Sequence, residues 1–226
     1  MVYWFQYWWL LIPAIILGMV AQSAVRSTYS KYRKVPARSG ITGAELARRI
    51  LDAHGLQDVP VQDVSGELTD HYDPRTRTLR LSASIGRGRS VAALGIAAHE
   101  SGHALQHSRS YFPLAVRNTV YPAASFGSKL GPIIVFGGLL FGIGEPLITI
   151  GIFLFAFAVF FSIITLPVEF NASSRAMKLL SASGALSPEE LEGARRVLNA
   201  AAMTYVAAAL ASVLTLLRLL LLSRGR

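Results

Sequence analysis

The 226-residue chain contains no cysteine. That excludes disulfides and every cysteine-ligated zinc site, and it fits a reducing compartment. Charge is scarce as well. Asp, Glu, Lys and Arg make up 15% of the residues, against about 25% in an average soluble domain. Acids are the rarer sign, 13 against 22 Lys and Arg. The glycine spacings of nucleotide sites are missing: "GRGR" at Gly86–Arg89 is followed by neither a Walker nor a dinucleotide pattern. No RNA- or DNA-binding module is present either. The net charge of +9 and the pI of about 10.3 therefore point away from nucleic acid and toward the membrane surface.

What the chain does have is apolar length. Hydrophobic residues reach 52% and the mean hydropathy is +0.43. A helix crosses the bilayer core in about 20 apolar residues. The first such run, Val2 to Val25, carries no charge before Arg26. It lacks a basic segment ahead of the apolar stretch, and its Trp4, Tyr7, Trp8 and Trp9 resemble an interfacial aromatic belt, so it reads as a signal anchor. The second run, Gly131 to Val168, holds one charge, Glu145, and "GIGEP" (Gly142–Pro146) breaks it into two spans. The third, Ala200 to Leu222, holds only Arg218. The expectation is a mainly α membrane protein of about four transmembrane helices with a small α+β domain that includes a β-hairpin. Its parts are a first span at 1–25, a soluble part at 26–118, spans at 119–144 and 145–168, a helical segment at 169–199, and a last span at 200–222.

The basic residues sort the sides. Arg26, Lys31, Arg33, Lys34, Arg38, Arg48 and Arg49 cluster between the first two spans, and Lys and Arg mark the cytoplasmic face. This places residues 26–118 and 169–199 in the cytoplasm, as parts of a multi-pass membrane protein. Four spans put Arg218, Arg224 and Arg226 outside, against that tendency; the larger cluster dominates, and Arg218 can snorkel.

Within the soluble part, Thr42 and Glu45 form a capping box at the start of a helix whose apolar face is Leu46, Ile50 and Leu51, with Gly55 as the stop. Residues 59–82 read as strand, turn, strand, with Asp73-Pro74 opening the turn. Ser90 caps a helix over 90–107. Ser187, Pro188 and Glu190 open another helix by the same logic.

The helix over 90–107 carries the chemistry. It reads "AAHESGHALQH" (Ala97–His107). Positions i and i+4 share one helix face, so the imidazoles of His99 and His103 reach one ion. Glu100, beside the first ligand, can take the proton of a water that zinc activates for attack on a peptide carbonyl. This is the H-E-x-x-H pattern of metalloproteases. His107 lies one turn further on. Ligands at i, i+4 and i+8 would spread over about 12 Å, too far for zinc bonds of about 2 Å, so His107 reads as a helix-end or substrate-side residue.

A catalytic zinc takes three protein ligands, so one must come from elsewhere. The downstream acids are Glu145, Glu169, Glu189, Glu190 and Glu192. Glu145 follows one span and falls on the far side. Glu169 follows two, returns to the near side, and stands directly after a long apolar run, where an acid needs a partner. Glu189, Glu190 and Glu192 have a capping and solvated role. Glu169 is the candidate.

Three stretches in order, "LTDHYDPRTRTLRLS", "AAHESGHALQH" and "LPVEFNASSRA", resemble the YugP-type membrane zinc metallopeptidases, a bacterial family of neutral proteases, over nearly the whole chain. A more distant similarity is to the HtpX-type gluzincins, with H-E-x-x-H on one helix and E-x-x-x-D on a later one. The resemblance implies a zinc metalloendopeptidase with one Zn²⁺ per chain held by His99, His103 and Glu169, and Glu100 as general base. Ser173 stands where the gluzincin aspartate orients a ligand histidine, a weaker partner for that task. The resemblance further implies a strand along the cleft to which substrate adds, with Thr76–Ser82 as the candidate. His71 and Arg175, and with less support Tyr72, are candidate donors to the oxyanion; otherwise His71 and Tyr72 close a hairpin and Arg175 faces headgroups. Asp70 and Asp73 read as turn residues. The partners implied are protein or peptide substrates, membrane-associated or misfolded, and the lipid bilayer, with no nucleic acid. The competing reading is a non-catalytic membrane adaptor or assembly factor with a structural zinc, for which Glu100 would have no use.

Overall fold

The computed structural model describes residues 6–142 and 145–224. Trp4 of the aromatic belt, Ile143 and Gly144 of the expected turn, and the basic residue Arg226 lie outside the described residues. The elements in order are a 3-10 turn at Trp8–Leu11, then α1 (Ile12–Tyr32), α2 (Gly43–Ala53), β1 (Val61–Val64), β2 (His71–Asp73), β3 (Thr78–Ser82), α3 (Ala83–Gly86), α4 (Val91–Ser108), α5 (Phe112–Phe141), α6 (Glu145–Ser183) and α7 (Pro188–Arg224). They form two compact units. One comprises Met1–Ala21, Phe112–Pro167 and Met203–Arg226; the other comprises Gln22–Tyr111 and Val168–Ala202.

The described residues of the first unit are mostly apolar helix. Among the described residues, four helices are long and apolar enough to cross a membrane: Trp8–Tyr32, Phe112–Phe141, Glu145–Ser183 and Pro188–Arg224. All four exceed the ~20 residues a crossing needs, the last two by the most, at 39 and 37 residues, because each helix runs on beyond its apolar stretch. Val135, Leu139, Ile148, Phe155, Val159, Leu219 and Leu222 make the buried cluster. Lipid tails are as apolar as leucine, so close backbone packing must hold such helices together. Gly131 and Gly151 supply it: a Cβ on either would stand 2.8 Å from the other's carbonyl oxygen. Phe126, Ile133, Phe153 and Ile163 point outward and are exposed, a surface suited to lipid. Arg218 turns inward, donating from Nε to the Gln6 carbonyl at 3.2 Å and lying over the Phe136 ring.

The second unit has a conventional core. Thr42 Oγ1 accepts from the Glu45 amide and the Glu45 carboxylate accepts from the Thr42 amide, so α2 starts with both groups satisfied. Leu46, Ala47, Ile50 and Leu51 are its buried side. Ser90 caps α4 through the Ala93 amide, and Ser187 with Glu190 caps α7. The small sheet has the order β1-β3-β2. β2 and β3 form the antiparallel hairpin, Tyr72 opposite Leu79, and β1 pairs parallel to β3, Val61 opposite Leu79. Leu79, Leu81, Ile85, Val91, Leu94, Leu180 and Leu198 close the core.

α4 is the centre of this unit and is buried around most of its circumference. Two glycines let neighbours approach. Gly95 faces Ala194 of α7, and Gly102 faces the backbone of Ala172 of α6, whose oxygen lies 2.8 Å from where a Cβ would be. The second approach sets the distance between α4 and the turn of α6 that carries Glu169.

Candidate metal centre

His99 and His103 lie one turn apart on α4, their rings 4.8 Å apart at 87°. Glu169 projects from α6. Donor atoms of His99, His103 and Glu169 all lie within 4.8 Å of one another. The Nε2 atoms of His99 and His103 stand 3.3 Å and 3.5 Å from Glu169 Oε2. Two donors bound to one tetrahedral zinc at about 2.0–2.1 Å are about 3.3 Å apart. Two imidazole nitrogens and a carboxylate oxygen also match the donor set of a catalytic zinc, which leaves a fourth position open. The residues present fit the ion, and three buried or nearly buried polar side chains at this spacing have no comparable packing role.

The nitrogens facing away from the site are engaged too. His99 Nδ1 lies 3.2 Å from Ser173 Oγ. His103 Nδ1 lies 3.0 Å from Gln106 Oε1. Gln106 Nε2 donates to the Val168 carbonyl at 2.8 Å and to Asn171 Oδ1 at 3.0 Å, and Arg175 Nε donates to the same Asn171 oxygen at 2.7 Å. The sequence reading missed Gln106 and Asn171. The available signal was an amide three residues after His103, on the same helix face, in an otherwise apolar turn.

Glu100 is buried beside the two histidines. Burial pushes its carboxyl up to about 7; His99 pulls against this, and Glu169 and Asp70 add to it. Its Oε2 accepts the Tyr72 backbone amide of β2 at 3.1 Å. The Tyr72 hydroxyl, at the other end of that residue, lies 2.9 Å from His107 Nδ1. Tyr72 thus lashes β2 along α4, and His107 is engaged there. His71 is exposed, with Nδ1 2.8 Å from the Thr69 carbonyl. Asp70 is more than a turn residue: it accepts from the amide and hydroxyl of Ser82, and burial raises its pKa. Asp73 does hold the turn, through the Arg75 amide and Thr76, and pairs with Arg80 at 2.9 Å.

One expectation is corrected. Thr76–Ser82 was the candidate strand for substrate addition, but β3 is the middle strand, and both of its hydrogen-bonding edges are taken by β1 and β2. The strand that turns an edge toward the site is β2, as the bond from the Tyr72 amide to Glu100 requires.

The profile of a family described as "Putative neutral zinc metallopeptidase" matches residues 7–224. The chain is 52% identical over 213 residues, 94% of each chain, to the "Putative membrane protease YugP" of Bacillus subtilis (strain 168). No solved structure matches.

Proposed function

The chain belongs to this zinc metallopeptidase family, and from that premise we propose that it is an integral-membrane endopeptidase whose general base is Glu100. The observation that carries the reading is the convergence of His99, His103 and Glu169 next to a buried carboxyl held near neutrality. His99, His103 and Glu169 would hold the ion. Zinc bound there would polarise a peptide carbonyl and lower the pKa of water toward about 7. Glu100 is the proton carrier. Its Oε2 accepts the Tyr72 amide, which holds the carboxyl in place, and the carboxylate takes the proton from the attacking water and returns it to the leaving amine. A base whose pKa lies near the working pH does both at low cost. Arg175, with Nε committed to Asn171, has its Nη nitrogens for an oxyanion, and His71 has Nε2. The fully engaged β3 leaves β2 as the strand beside which an extended substrate lies.

The substrates are membrane-associated or misfolded proteins, cut at the cytoplasmic face of a bacterial inner membrane. The basic cluster of residues 26–49 supports that orientation. The test uses purified full-length protein on a generic unfolded substrate, with zinc, with chelator, and as Glu100→Gln. Cleavage is expected only with zinc, and Glu100→Gln should lose about 10²–10⁴-fold while keeping its zinc. Equal cleavage in all three arms would overturn the reading, and full activity loss together with zinc loss in Glu100→Gln would favour a structural role.

A further inference from the structure

Two independent constraints, one from backbone and one from side chains, meet at Gln106, a fully buried side chain that the catalytic scheme does not use. The Val168 carbonyl can only accept a hydrogen bond, and it lies 2.8 Å from one end of the Gln106 amide. That end must be the NH₂. The same conclusion arrives from the other side. Arg175 Nε can only donate, so the Asn171 atom it meets at 2.7 Å must be oxygen. That oxygen is 3.0 Å from the same end of Gln106, which again must be NH₂. The opposite end of Gln106 is therefore oxygen, an acceptor, and it lies 3.0 Å from His103 Nδ1. His103 Nδ1 must carry the hydrogen, which in the neutral ring leaves Nε2 with a bare lone pair. Nε2 is the nitrogen 3.5 Å from Glu169 Oε2.

We infer that Gln106 is a positioning residue: it selects the tautomer of His103 that can ligate a metal, and it joins the two ligand-bearing helices by bonding His103 with one end and the backbone before Glu169 with the other. The assignment of a metal to Nε2 rests on the metallopeptidase reading; the tautomer does not. The contrast with His99 is built in. Its Nδ1 meets a serine hydroxyl, which donates or accepts equally well, so nothing on that side selects a tautomer. The two histidines of one motif are governed differently, His103 by a polarity-locked relay and His99 by an adaptable partner.

The experiment has two arms. In the first, metal-free full-length protein labelled with ¹⁵N-histidine is examined by long-range ¹H–¹⁵N correlation, above the range in which histidine protonates. His103 is expected as the Nδ1–H tautomer. A dominant Nε2–H form would overturn the inference, and this arm needs no variant. In the second, zinc affinity is read by competition with a chromophoric chelator for wild type, Gln106→Leu and Gln106→Glu. Loss of such an orienting partner lowers metal affinity about 10–100-fold, so Gln106→Leu should fall by that factor and its His103 should show mixed tautomers. Gln106→Glu keeps an acceptor for His103, so its tautomer should persist while the new oxygen, facing Val168 O and Asn171 Oδ1, lowers thermal stability. A folded Gln106→Leu with unchanged zinc affinity and unchanged His103 signals would overturn the inference. Wild type that bound no zinc but showed Nδ1–H at His103 would support the relay and remove the metallopeptidase reading instead.

Discussion

Adding one carbon to Gly102 should open the metal site without touching a ligand. A Cβ there would sit 2.8 Å from Ala172 O, 3.4 Å from its Cα and 3.5 Å from its carbonyl carbon. The obstacle is helix backbone, which has no rotamer to give. To restore the 3.4 Å of ordinary contact, α4 and α6 must part by about 0.6 Å along that line. Metal sites tolerate ligand displacements of about 0.2 Å, and Glu169 is three residues from Ala172 on the same helix. Overpacking of this kind costs about 1–3 kcal/mol. Expressed in zinc binding, that is a loss of about 5- to 150-fold in affinity. Gly95→Ala is the matched control. It lies two turns earlier on α4, and its added Cβ would meet Ala194 Cβ at 3.4 Å, an ordinary contact. Replacing a mid-helix glycine where space allows should stabilise by about 0.5–1 kcal/mol. Chelator competition for zinc and thermal melts of both variants decide the matter. Wild-type zinc affinity in Gly102→Ala, or an equal loss in Gly95→Ala, would refute the claim that close approach at Gly102 sets the ligand spacing.

Further tests address single residues. Glu169→Ala should abolish stoichiometric zinc binding, measured as metal content of the purified protein, whereas Glu190→Ala, which removes a helix cap and an acceptor for the Arg38 amide, should leave it intact. Asp73 is drawn down to about 2 chiefly by the hydrogen bond from Arg80. A depressed carboxylate pKa adds stability above the unfolded value of 3.8, lost as pH falls toward about 2. The melting-temperature gap between wild type and Asp73→Asn should therefore be widest near neutrality and close on acidification; a gap that does not change with pH would contradict the ion-pair account. The chain has no native cysteine, so single cysteines at the exposed Ser108 and Ser183 report topology. An impermeant maleimide should label neither in intact cells and both after permeabilisation, and labelling of one alone would separate His103 from Glu169 by a membrane.

Reading by spacing went far where the signal is local. The capping residues Thr42, Ser90 and Ser187 lie three residues from the amides or acids they meet, and the hairpin is announced by Asp73-Pro74. Glu169, 66 residues beyond His103, was reached by another route: with so few acids in an apolar chain, side of the membrane and cost of burial leave little choice. Where the partner is both distant and chemically ordinary, the same reasoning has no purchase. The order β1-β3-β2 depends on a parallel pairing across the intervening β2, and strand propensity alone carries no information about which edge is covered. Asp70 read as a turn residue because nothing nearby in sequence needs it; its partner Ser82 is 12 residues away.

The sequence by itself determined the apolar class, the helical pairing of His99 with His103 and the acid placed beside them, because helix period and hydrophobic run length are properties of neighbouring residues. Only the tertiary structure decided how those groups are oriented. Gly102 meeting Ala172, the Tyr72 amide meeting Glu100, and Gln106 reaching Val168 and Asn171 join segments 28 to 70 residues apart. Such contacts exist only once the core has fixed one helix against another, since the chain between them leaves their separation free.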